Sequence, residues 1–124
     1  MIPSSLRFHG HNSLRYVYAN GKAVRSQAMT IKWTKNTHRT RSRVSVVVSK
    51  KVLKSAIGRN RIRRRIYEYM RLNETRLIEC HDIVLIVTSP EFRDMPAPEL
   101  SSQLDQLFIK AALYKTPTNW YNIG

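Results

Sequence analysis

Five arginines fall within seven residues, Arg59, Arg61, Arg63, Arg64 and Arg65, in the stretch GRNRIRRRIYEYMR at positions 58–71. Guanidinium groups present planar, paired donors that match phosphate oxygens better than ammonium does, and Lys50, Lys51 and Lys54 just upstream add point charges. At about 100° per residue on a helix, Arg59 and Arg63 share a line with Tyr67 and Arg61 shares another with Arg65, while Ile62 and Ile66 mark the buried side. The natural ligand of such an element is a phosphate backbone. A run of this kind is also compatible with a solvated face or a targeting address. Against that, no acidic residue precedes Glu68, the one acidic partner inside the run.

Bond-breaking chemistry has a much weaker signature. His9 and His11 form an H-x-H without the further ligands a metal needs. Cys80 beside His81 reads as a helix-end pair rather than a nucleophile with its base. A nuclease using two metal ions needs convergent carboxylates, and none lies in the basic half. The expectation is a binding protein with no catalytic residue, metal site or cofactor of its own. Arginines around most of the helix favour contacts to backbone phosphates over the base-reading side chains of a DNA recognition helix.

Charge distribution sharpens this. The chain has 124 residues, 22 Lys and Arg against 8 Asp and Glu, a net charge of +14 and a pI near 10.6. Residues 1–67 hold 17 of the basic residues and none of the acidic ones; residues 68–124 hold five basic and eight acidic residues, net −3. A polyanion partner on one face follows. No apolar run approaches the roughly 18 residues of a membrane span, the segment MIPSSLRFHGHNS lacks a signal-peptide core, and one cysteine excludes an internal disulfide framework. The reading is one polyanion-binding domain over 1–124, soluble and cytoplasmic, loose at about 1–11 and 116–124.

The elements that must position these groups are legible in outline. HNSLRYVYANG predicts a short helix capped by Asn12 or Ser13, with Leu14, Val17 and Tyr18 on one face and Gly21 in the left-handed C-terminal position. AVRSQAMTIKWT at 23–34 and RVSVVVSK at 43–50 predict strands, joined as antiparallel neighbours by the loop KNTHRTRS. From Asn60 the spacing of Ile62, Ile66, Tyr69 and Met70, continuing to Leu72, Leu77 and Ile78, predicts a helix, with Arg64 and Glu68 as an i, i+4 pair. DIVLIVTS at 82–89 predicts a buried strand, and PELSSQLDQLFIKAALY an amphipathic helix through Leu100, Leu104, Leu107, Phe108 and Ala111. The fold class is α+β, a two-layer α/β sandwich in the order α-β-β-α-β-α with a βαβ crossover.

This order, VVSKK at 47–51, the Arg-Asn-Arg motif at Arg59, Asn60 and Arg61 continuing as IRRRI, the strand DIVLIV and the ending LDQLFIKAALYK together resemble the protein subunit of bacterial ribonuclease P over nearly the whole chain. The resemblance implies a left-handed βαβ crossover, an exception to the usual hand. It also implies a ribonucleoprotein endonuclease that removes the 5′ leader from precursor tRNA, in which a catalytic RNA subunit holds the Mg2+ ions. The partners implied are that RNA and precursor tRNA, with no membrane and no obligate protein partner. Carried over by residue, Lys50, Lys51, Arg59, Asn60, Arg61, Arg63 and Arg64 would face the RNA, with Lys54, Arg65 and Tyr67 beside them. Tyr67 and Arg65 stand where relatives often differ, and the link VLKSAIG before the motif is one residue longer than in some.

A second site follows from aromatic residues near basic ones, which bind single-stranded RNA by stacking. Tyr18, Lys32 and Trp33 offer that mixture. In the family an aromatic pair on the first helix faces a central cleft that takes the leader, and Leu14 and Tyr18 occupy those places, with Leu14 replacing an aromatic. Trp33 reads equally, and Tyr18 less readily, as a core aromatic. A structural RNA-binding module, such as a ribosomal protein, would account for the charge as well, though less well for the Arg-Asn-Arg context.

Overall fold

The structure, a computed structural model, describes residues 11–36 and 42–115. A first helix, α1 (His11–Asn20), leads into strands β1 (Lys22–Arg25), β2 (Met29–Lys35) and β3 (Arg43–Val48). Helix α2 (Ala56–Asn73), a 3-10 turn (Glu74–Arg76) and strand β4 (His81–Val87) follow, then a second 3-10 turn (Pro90–Arg93) and α3 (Ala97–Lys110). The four strands form one sheet in the order β1-β2-β4-β3, with β3 and β4 parallel and the other pairs antiparallel. The expected mixed fold and its β3-α2-β4 crossover are present.

Strand alternation divides the side chains between two faces. Met29, Ile31, Val44, Val46, Val48, Ile83, Leu85 and Val87 join Ile62, Ile66, Tyr69 and Met70 of α2 and Leu100, Leu104, Leu107 and Phe108 of α3 in the main core. On the opposite face Val17 of α1 is buried against Val84, with Leu14, Val47 and Ile86 around them. Helix α1 therefore covers only part of its face, and Tyr18 stays partly exposed beside it. Among the described residues no helix is long and apolar enough to cross a membrane.

Several expectations change in detail. The segment 23–34 is a hairpin of two strands rather than one, so the order is α-β-β-β-α-β-α. Its turn carries none of the glycine, asparagine or proline that marks most hairpins; instead Ser26 closes it, with its backbone N–H and its hydroxyl both donating to the Met29 carbonyl at 2.8 and 3.1 Å. The strands β2 and β3 are not neighbours, because β4 lies between them. Buried on both faces, the run DIVLIV belongs in the centre, where both its edges are hydrogen-bonded. Cys80 and His81 accordingly stand at the start of a strand, not at a helix end.

Gly21 is needed for close approach rather than for a left-handed cap: no described glycine has positive φ. A Cβ at Gly21 would lie 2.4 Å from the Val17 carbonyl oxygen and 3.0 Å from that of Trp33. Helix α1 starts at His11, before the expected caps, and the side chains of residues 11–13, His9 and both loose ends lie outside the described residues. The helical stripe ends at Asn73; Leu72 and Ile78 are exposed, and Glu68 pairs with Arg71 instead of Arg64.

The segment just after α3 is tied to α2 by a polar cluster at the edge of the core. The Tyr69 hydroxyl donates to Asp105 and lies 2.7 Å from the Tyr114 hydroxyl, while Arg76 donates to Asp105 at 2.9 Å and covers the Tyr114 ring at 4.2 Å. Phe108 stacks on Tyr114 with centroids 4.7 Å apart. Burial raises the pKa of both phenols, that of Tyr114 to about 12. In the unfolded chain a phenol loses its proton near pH 10. Between these limits the native state binds more protons than the unfolded one, so the stabilisation is complete below about pH 10 and lost as pH rises toward 12. Stability measured by denaturant unfolding should fall over that window, and Tyr114→Phe should make the fall shallower. If all six tyrosines titrate together near pH 10 by phenolate absorbance, the cluster is not closed as described.

Candidate nucleic-acid interface

Helix α2 is held on the sheet by Gly58, Ile62, Ile66, Tyr69 and Met70. Its start is fixed by Ser55, whose extended backbone and hydroxyl, accepting from the Gly58 N–H at 3.0 Å, make an N-cap. The chain enters the link VLKSAIG through a tight turn, in which the Ser49 carbonyl accepts from the Val52 and Leu53 N–H groups at 3.1 and 3.3 Å. Leu53 then lies over Gly58 so closely that a Cβ there would sit 2.6 Å from Leu53 Cδ2. Lys50, Lys51 and Lys54 are left exposed on this turn, directly before the arginines.

The arginines divide into two groups. Arg59 Nη1 donates to the carbonyls of Leu53 at 2.9 Å and Lys54 at 2.8 Å, tying the lysine turn to the helix. On the flank facing the 3-10 turn before α3, Arg61 Nε donates to the Arg93 carbonyl at 2.7 Å and lies 3.8 Å from Asp94. Arg65 reaches further along that turn: Nη1 donates to Phe92 and Arg93 at 2.7 and 3.2 Å, and Nη2 to Met95. Burial, with the Arg61 charge next, lowers the Arg65 pKa. The remaining pair differs: Arg63 donates to the Asn60 amide oxygen at 2.7 Å, and Arg64 is exposed. Tyr67, expected beside the RNA face, uses its hydroxyl to accept from the Val46 N–H at 3.1 Å on the free edge of β3 and packs against the core.

The second expected site is brought together only in part. Leu14 and Tyr18 of α1 and Lys32 of β2 meet on the half-covered face: the Lys32 ammonium lies 5.1 Å from the centre of the Tyr18 ring, which remains 41% exposed. Burial raises the Tyr18 pKa. Trp33 does not belong there. One residue along β2 from Lys32, it points to the other face and packs against the main core.

Sequence reading missed residues that register places on the Lys32 face. Arg25 is opposite Thr30 in the β1–β2 ladder and points to the same side as Lys32 two residues on. Arg43 and Asp82 stand on this face too, paired through two hydrogen bonds of 2.9 and 2.7 Å, with Asn36 donating to both Asp82 oxygens. The bond to Asp82 raises the Arg43 pKa, against the opposite effect of desolvation. Two-residue alternation would have identified Arg25, had the hairpin been recognised. Among the described residues no group of three or more His, Cys, Asp or Glu could hold a metal ion.

These roles separate under mutation. Arg65→Ala removes charged hydrogen bonds to carbonyls of an irregular turn and should lower unfolding stability by about 1–3 kcal/mol. Arg64→Ala should change it by less than about 0.5 kcal/mol. Equal losses in denaturant titrations would contradict the division.

Residues 2–112 match the family model described as Ribonuclease P. The chain is 33% identical over 112 residues to the Ribonuclease P protein component of Symbiobacterium thermophilum, covering 90% of this chain and 96% of that one. It is 38% identical over 96 residues to that of Desulfosudis oleivorans, covering 77% of each. In fold it is similar to the RNase P protein of Staphylococcus aureus, with a TM-score of 0.78 at 22% identity over 89% of this chain and 98% of that one. It is also similar to the RNase P protein of Thermotoga maritima solved with 1-(4-fluorophenyl)-2-thiourea, with a TM-score of 0.71 at 25% identity over 82% and 96%. With a family match over residues 2–112 and a 33% identical relative covered to 96% of its length, the chain belongs to the Ribonuclease P protein family.

Proposed function

We propose that the chain is the protein subunit of a ribonucleoprotein endonuclease that removes the 5′ leader from precursor tRNA, in the cytoplasm. It binds the catalytic RNA through Lys50, Lys51, Lys54, Arg59, Asn60, Arg61, Arg63 and Arg64. The observation that carries this reading is the joining of the Ser49–Lys51 turn to the arginine helix through the Arg59 contacts to Leu53 and Lys54, which makes one continuous basic surface. Each Nη1 contact leaves other donors of the same guanidinium available to phosphate. Arg65 and Tyr67 support that surface from behind, since their polar atoms serve backbone groups.

The leader runs in the groove on the opposite face. There the Tyr18 ring offers a stacking surface, Lys32 a phosphate contact and Leu14 an apolar wall. The separation of the two surfaces by the sheet lets one chain hold the catalytic RNA and the substrate at once. Among the described residues no group of three or more His, Cys, Asp or Glu could hold a metal ion. In this reading the Mg2+ ions are held by the RNA, and the protein contributes binding and positioning.

Reconstitution with the cognate RNA and precursor tRNA at low magnesium, with and without the chain, tests the proposal. The chain should stimulate cleavage at the mature 5′ end; no stimulation would refute it. Within that assembly Tyr18→Ala should weaken leader-bearing precursor by about 1–3 kcal/mol and leave mature tRNA almost unchanged. Equal weakening of both would remove Tyr18 from the leader groove.

A further inference from the structure

Arg93 ends the 3-10 turn Pro90–Arg93 and stands 32 residues after Arg61 in the sequence. The fold brings it back to α2. Its carbonyl accepts from Arg61 Nε at 2.7 Å and from Arg65 Nη1 at 3.2 Å, so its backbone is held against the flank of the helix. Its side chain runs toward the first turn of α2, where its stem and the Leu53 side chain share the space over Gly58. A Cβ at Gly58 would lie 3.5 Å from Arg93 Cδ and 2.6 Å from Leu53 Cδ2. The half-buried Arg93 therefore packs its stem and carries its charged head just beyond. That places the charge beside the turn which Arg59 ties down through the Leu53 and Lys54 carbonyls.

The partners of the neighbouring arginines set Arg93 apart. Arg59, Arg61 and Arg65 donate to backbone carbonyls, and Arg63 donates to Asn60. The Arg93 guanidinium has no hydrogen-bond or ion-pair partner among the described residues. Asp94, the next residue, has its carboxylate 3.8 Å from Arg61 Nε instead. The first turn of α2 contains no acidic residue, and Lys50, Lys51 and Lys54 stand exposed before it. Like charges gathered without an anion repel one another, a cost that an incoming phosphate reverses. A stem already packed also loses less rotamer freedom when its head binds.

We infer that Arg93 is a further contact to the catalytic RNA, binding a backbone phosphate beside the junction of the lysine turn and α2. Planar paired donors suit a phosphodiester, and a contact of this kind fixes register without reading a base. The turn before α3 thereby becomes a second RNA-binding element, remote in sequence from the Arg-Asn-Arg helix. Two of its anchors, the Arg61 bond and the packed stem, do not depend on Arg65. The inference rests on the reading of the chain as the partner of a catalytic RNA.

Salt titrations of the full chain binding the catalytic RNA test it. Arg93→Gln, which keeps most of the stem and removes the charge, should lower the slope of log K against log salt by about one, as Arg64→Ala does. Arg93→Lys, which keeps the charge, should keep the slope. Lys110→Ala should leave the slope unchanged, because that ammonium lies at the far end of α3 and bonds the Arg25 carbonyl. An unchanged slope for Arg93→Gln beside a lowered one for Arg64→Ala overturns the inference and keeps the RNA-partner reading. Equal falls for Arg93→Gln and Lys110→Ala also overturn it, since overall charge would then explain both. If neither Arg93→Gln nor Arg64→Ala moves the slope, the RNA face assigned to α2 fails together with the inference.

Discussion

The rotation of α2 about its own axis is the constraint on which the rest depends. It is set by Ile62, Ile66, Tyr69 and Met70, all buried against the sheet and α3. Burying each side chain contributes about 1.5–3 kcal/mol, so turning the helix by one residue, about 100°, would expose the isoleucines and drive charged groups inward. With the rotation fixed, the destination of each arginine follows. Positions 61 and 65 are delivered to the turn before α3, position 59 to the lysine turn, and positions 63 and 64 to the outer surface.

Arginine suits this divided use because its five donors can serve two masters. The turn Pro90–Arg93 and the link before α2 are irregular backbone lying close to the helix, where carbonyls without partners would be costly. Guanidinium groups of Arg59, Arg61 and Arg65 meet that need. Lysine could not reproduce the paired contacts of Arg65 to Phe92 and Met95, since a single ammonium cannot fork between them. The run of positive charge is thus part adhesive and part interface. The sheet then separates that interface from the Tyr18 groove, and α1 covers too little of its face to close it.

Much of this was legible in the sequence because it depends on local periodicity. Ile62 and Ile66 marked the buried side of α2, and DIVLIV announced a buried strand. What escaped depends on partners distant in the chain. Ser26 closes a hairpin with its own hydroxyl instead of a glycine, so two strands looked like one, and Arg25 was not seen to share a face with Lys32. Trp33 was grouped with Lys32 by proximity in sequence, whereas adjacent strand residues point to opposite faces. Arg65 resembled its neighbours in every local respect; only the fold of residues 92–95 sets it apart. The family resemblance supplied the Tyr18 groove, which composition alone does not identify.

The central claim is that arginines of one helix divide between protein and RNA, and the salt dependence of RNA binding measures that division directly. Removing one phosphate contact lowers the slope of log K against log salt by about one. For the folded variants bound to the catalytic RNA, Arg64→Ala should reduce the slope by about one and Arg65→Ala should leave it unchanged. A slope that falls equally for both would mean that Arg65 faces the RNA, and that the arginines of α2 do not divide between protein and RNA.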